Sequence, residues 1–167
     1  MLPSVYVETT IFSYLTARPS GSLITAAHQR VTSEWWRVAP DRYRLLVSAI
    51  VVQEARGGDP AMAEQRVAFL SGLPLLEVAP EARELARALV AVGVVPADAA
   101  ADALHIAVAA VNRVDYLVTW NLRHLAGAVV RRRIERALRE RGFEPPMLCT
   151  PEELLSDSSN PGGLDVQ

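Results

Sequence analysis

VYVETTIFSYL, residues 5–15, is the stretch from which the fold is read. Val5-Tyr6-Val7 is a short β-branched and aromatic run, which reads as a first strand. It meets Glu8-Thr9-Thr10 and then an apolar segment from Ile11 to Leu15. The same alternation recurs downstream. Arg44-Leu45-Leu46-Val47 reads as a second strand, and Ser48 can cap a helix that runs to about Arg56 and stops at Gly57-Gly58. Tyr116 to Thr119 reads as a strand followed by Trp120-Asn121, and Met147 to Thr150 as a last strand before a turn of helix at Pro151 to Leu155. Leu73 to Val78 is a weaker strand.

Between these lie helical patterns. Residues 23–37 place Leu23, Ala26, Ala27 and Val31 on one side. One helix begins near Pro60 and ends before Gly72; another opens at Pro80 and stops at Gly93. The clearest spans Ala97 to Val111, and an arginine-rich one spans Arg131 to Arg141. Short apolar strands alternating with helices predict an α/β layer fold with a mainly parallel sheet.

The 167 residues suit one domain, taken as residues 1–155, with a polar tail over 156–167 that is expected to be disordered. Half the residues are hydrophobic and 22% are charged, a globular composition. Cys149 is the only cysteine, which excludes an internal disulfide framework and a four-thiolate metal site and fits a reducing, cytoplasmic setting. No signal peptide or membrane span is indicated. A net charge of −2 excludes a global basic field, so nucleic-acid binding must rest on a local patch. All 17 basic residues are arginine. Seven of them fall between Arg123 and Arg141, against only Glu135 and Glu140, and such a cluster can grip phosphate or be a plain solvated face.

Sites in open parallel sheets form beyond the carboxyl ends of the strands. Glu8 follows the first strand and Asn121 the Tyr116–Thr119 strand. Glu54 sits late in an apolar helix, and Asp102 sits in AAADALHIAVAAV, residues 99–111. A carboxylate in so apolar a helix is costly unless it is paired, hydrogen-bonded or bound to metal. Carboxylate and amide oxygens suit Mg²⁺ or Mn²⁺, which can activate a water and neutralise charge on a phosphodiester. Each residue also has a structural reading. Glu8 beside Thr9-Thr10 fits a cap, Glu54 a solvated helix acid, Asp102 an acid held by a partner, and Asn121 a turn. His105 reads as a packed or supporting residue, Asp98 as a first-turn acid, and His28 and His124 show no ligand spacing. Trp35 reads as core, whereas Trp120, next to the site, is the better candidate for stacking on a base.

The segments VYVETTIFSYL, LLVSAIVVQEARGGD, ADALHIAVAAV, DYLVTWNLRHLA and PMLCTPEELL together resemble the PIN-domain nucleases, and more closely the VapC-type toxins of type II toxin–antitoxin pairs. They follow the family's order over about residues 4–155. The resemblance implies a three-layer α/β/α fold, endoribonuclease activity with Mg²⁺ or Mn²⁺, a homodimer and a small antitoxin partner. It places Glu8, Glu54, Asp102 and Asn121 in the metal-holding catalytic set. Glu8 and Asn121 stand where most members have aspartate: Glu8 is longer by a methylene, and Asn121 supplies an oxygen but no charge, which implies a lower metal affinity. Two other classes fit the same residues: a non-catalytic RNA-binding or protein-interaction module on a degenerate nuclease fold, and a DNA nuclease.

Overall fold

The computed structural model describes residues 1–156. Five strands form one sheet: β1 (Ser4–Val7), β2 (Arg44–Ser48), β3 (Leu75–Leu76), β4 (Tyr116–Val118) and β5 (Met147–Cys149). Their order is β3-β2-β1-β4-β5, and every neighbouring pair is parallel. The expected α/β architecture is present, with helices flanking the sheet as in a three-layer α/β/α fold. β1 is central, with Val5 opposite Leu45 on one side and Tyr116 on the other. All four of its residues are buried, as parallel strands covered on both faces require.

The helices are α1 (Thr9–Thr16), α2 (Leu23–Arg42), α3 (Ala49–Ala55), α4 (Pro60–Leu70), α5 (Pro80–Ala91), α6 (Ala100–Val111), α7 (Ala128–Arg139) and α8 (Pro151–Ser156). Ser48 caps α3 as expected, accepting from Ile50 N–H at 3.3 Å. Trp35, Phe12, Leu89, Ile106, Leu117, Ile134 and Leu148 fill the layers on both sides of the sheet. Trp35 packs as expected, fully buried.

The structure departs from the sequence reading at several ends. α2 runs on to Arg42, past residue 37 and through Pro40, whose last turn is solvent-facing. The Leu73–Val78 strand shrinks to Leu75–Leu76. It lies at the sheet edge and pairs only with Val47 and Ser48. The helix expected from Ala97 opens with a 3₁₀ turn, Ala97–Ala99, which places Asp98 in its first turn. The arginine-rich helix starts earlier, at Ala128. Ser156 closes α8, and the rest of the expected tail lies outside the described residues.

β1 and β4 are tied at their amino ends as well as along their length. Asp115 accepts from Ser4 N–H at 2.7 Å and from Ser4 Oγ at 2.6 Å. These bonds hold the Asp115 carboxyl below the usual range. Among the described residues no helix is long and apolar enough to cross a membrane.

Candidate active site at the carboxyl end of the sheet

The chain leaves β1 towards β2 and β3 on one side, then returns to β4 on the other. Strand order therefore reverses between β1 and β4, where such sheets open a crevice at their carboxyl ends. Glu8 follows β1 at that point, and Thr119, Trp120 and Asn121 follow β4.

Glu8 is the N-cap of α1 and is only 3% exposed. Its Oε2 accepts from Thr10 N–H, Thr10 Oγ1 and Thr119 Oγ1. The cap reading is thus literally true. It occupies one carboxylate oxygen, and Oε1 has no hydrogen-bond partner among the described residues. Glu54 comes from α3. Its Oε1 accepts from Thr9 Oγ1 at 3.1 Å and from His105 Nε2–H at 2.6 Å, and its Oε2 likewise has no partner among the described residues.

Asp102, half-buried on α6, has both oxygens engaged. Oδ1 accepts from Asn121 Nδ2 at 3.1 Å and Oδ2 from His124 Nδ1 at 3.0 Å. Asn121 in turn donates its backbone N–H to Thr119 Oγ1 at 2.9 Å. The adjacent threonines of α1 hold Glu54 and Glu8, while Thr119 and Asn121 link Glu8 to Asp102. Glu8, Asn121 and Asp102 therefore share one hydrogen-bonded network, and Glu54 adjoins it through Thr9, the chain neighbour of Thr10.

His105, fully buried, lies behind this network. The Tyr6 hydroxyl bridges Ser48 Oγ (2.8 Å) and His105 Nδ1 (2.7 Å), donating to one and accepting from the other. Burial disfavours the charged imidazole, but the Glu54 hydrogen bond and the charges of Glu8, Glu54 and Asp102 outweigh it and raise the His105 pKa. Burial pushes Glu54 up, yet the His105 bond and charge, with Thr9, carry it below the ordinary carboxylate range. Burial drives the Tyr6 phenol far above its ordinary value, so it stays neutral.

These directions set a pH dependence. Glu54 and Asp115, both depressed, contribute stability that is present above about pH 4 and lost as the pH falls below it. His105, raised, contributes stability present below about pH 6.5 and lost as the pH rises through its folded pKa. Thermal melts are expected to peak between these limits and to fall first on the acid side.

No three His, Cys, Asp or Glu side chains among the described residues are already gathered tightly enough to grip a divalent ion. Glu8, after β1, and Glu54, late in α3, each retain one carboxylate oxygen without a hydrogen-bond partner among the described residues. Two such oxygens with coordinated waters suit a small hard cation, which keeps much of its hydration. By donor chemistry the carboxylates suit Mg²⁺ or Mn²⁺, and Asp102 is linked to Glu8 through Asn121 and Thr119.

Several residues of this network were not legible as functional. His124 has no ligand spacing in sequence, yet it touches Asp102. It does so because Leu122–Ala126 form a π turn, in which Ala126 N–H bonds to Asn121 O at 3.0 Å, and such turns favour functional sites. Gly127 ends the turn, and a Cβ there would meet Leu122 O at 2.5 Å, against rigid backbone. Gly127→Ala is expected to destabilise the protein by about 1–3 kcal/mol through this overlap, checked by thermal melting.

Two expectations near the site are corrected. Trp120 is 8% exposed and cannot offer its face to a base. Its ring stacks on His28 at 4.0 Å between centroids, and its Nε1–H donates to Thr32 Oγ1 at 2.7 Å. The arginine run is not gathered at the site. Arg131 pairs with Glu153 at 2.8 Å near the carboxyl end of β5, whereas Arg139 lines a cleft with Asp115 and Tyr116 at the amino end of β4. Arg131 is thus committed to Glu153, and α7 carries Arg139 to the opposite end of the sheet. Arg123, exposed on the π turn, precedes His124 in the chain. Compared with models of known protein families and with curated protein sequences, the chain matches none.

Proposed function

We propose that the protein is a divalent-metal-dependent endoribonuclease, a cytoplasmic toxin of a type II toxin–antitoxin pair, acting as a homodimer and restrained by a small antitoxin. One observation carries the catalytic part: at the switch point of a parallel sheet, Glu8 and Asp102 share one hydrogen-bonded network, and the adjacent threonines Thr9 and Thr10 hold Glu54 and Glu8. The toxin, dimer and antitoxin parts rest on the sequence resemblance.

Glu8, Glu54 and Asp102 would hold a Mg²⁺ or Mn²⁺ ion, directly or through water, with Asn121 holding Asp102 in place. When bound, the ion supplies positive charge against the phosphodiester and acidifies an attacking water. The threonines fix the glutamates in place, so that little side-chain entropy is lost when the site fills. Arg123 is placed to hold a backbone phosphate at the rim.

The test is digestion of single-stranded RNA and single-stranded DNA side by side, in Mn²⁺ and in chelator. Cleavage of RNA alone, abolished by chelator, is expected. Absence of RNA cleavage in Mn²⁺ overturns the proposal, and equal cleavage of DNA turns it towards a general nuclease. The hydrogen bonds already made by the acids favour a second reading, a non-catalytic module that binds RNA or protein. That reading predicts RNA retention without cleavage.

A further inference from the structure

We propose that the π turn Leu122–Ala126 is a clamp that aims Asp102, with His124 as its principal positioning residue; this rests on reading Asp102 as part of the ion-holding site. The clamp has two jaws. His124 Nδ1–H donates to Oδ2 of Asp102 at 3.0 Å, and Asn121 Nδ2–H donates to Oδ1 at 3.1 Å. The jaws are also locked to each other, since Asn121 Oδ1 accepts the His124 backbone N–H at 3.0 Å.

Both polar ends of the Asn121 amide are thereby committed, one to the turn and one to Asp102. His124 is partly exposed, with 24% of its side-chain surface open, and Asp102 retains 17%. The pair is therefore partly open to solvent and not in the core. A carboxylate held at both oxygens cannot swing between rotamers, which is how partners of metal-binding groups raise affinity. Asn121, at the N-cap, accepts from the residue three on, as N-cap side chains do, and this fixes His124 beside it. Here the widened turn is capped by Asn121 and closed against Gly127.

Two substitutions separate this role from the alternatives. His124→Leu removes the donor. His124→Asn keeps an amide N–H where Nδ1 stood but cannot exchange a proton. In the ion-free protein, His124→Leu is expected to lower the melting temperature by about 2–4 °C. It is expected to weaken Mn²⁺ binding, measured with Mn²⁺ alone, by about 10-fold or more. His124→Asn is expected to recover most of both. In RNA cleavage the leucine variant lowers kcat and leaves KM for RNA unchanged.

If the asparagine variant behaves like the leucine variant, the imidazole itself is required and the clamp is wrong. If the leucine variant raises KM alone, His124 binds substrate and the clamp is again wrong. If the unaltered protein binds no Mn²⁺, the ion-holding reading fails. The clamp then stands or falls on the ion-free melts, where equal melting of all three proteins rejects it.

Discussion

Asp102→Asn lowers the rate of RNA cleavage in Mn²⁺ by about 100-fold or more, while the protein stays folded. The substitution keeps the shape of the side chain and removes only its charge. Asparagine still accepts at Oδ1 from Asn121. Its amide nitrogen, however, faces the His124 donor, so one jaw of the contact is lost. Asp102 is half-buried and not a core residue, so stability falls by about 1 kcal/mol, the value of one hydrogen bond. A loss of cleavage with a near-normal melt separates chemistry from folding. Equal cleavage by both proteins removes Asp102 from the reaction.

His105→Ala is expected to cost stability more than any other substitution at the site, about 3 kcal/mol. The ring is fully buried, so its removal leaves a cavity beneath the acids. It also strips one hydrogen bond each from Glu54 and Tyr6. Tyr6 keeps Ser48, and Glu54 keeps Thr9, so neither is wholly unpartnered. At about 2–4 °C per kcal/mol for a chain of this size, the melt falls by about 6–12 °C. Tyr6→Phe removes a single bond and is expected to cost about 1 kcal/mol. A His105→Ala melt equal to that of the unaltered protein contradicts the view that this buried chain supports Glu54.

The acids that the sequence marks are those whose local setting is anomalous. Asp102 stands out because ADALHIAVAAV is otherwise apolar, and Glu8 because it ends a buried strand. Their partners do not stand out. Thr9, Thr10 and Thr119 are ordinary strand-end residues until the β1–β4 pairing sets Glu8 against Thr119. His124 is invisible because its partner Asp102 lies on another helix, 22 residues away in sequence, and only the fold sets the two side by side. Trp120 reads as a stacking surface beside the site, but its direction depends on α2, which supplies His28 and Thr32 from far away in sequence. The arginine run shows the same limit. Its charge is plain in the chain, but the direction of α7, which takes Arg139 to the far end, comes from packing.

The view that distant acids converge to hold one ion is tested most directly by titrating the protein with Mn²⁺ by calorimetry, alongside Glu8→Gln. One ion bound at micromolar affinity, weakened by at least about 10-fold in Glu8→Gln, is the predicted result. No bound ion at millimolar Mn²⁺, or binding indifferent to Glu8, would contradict it.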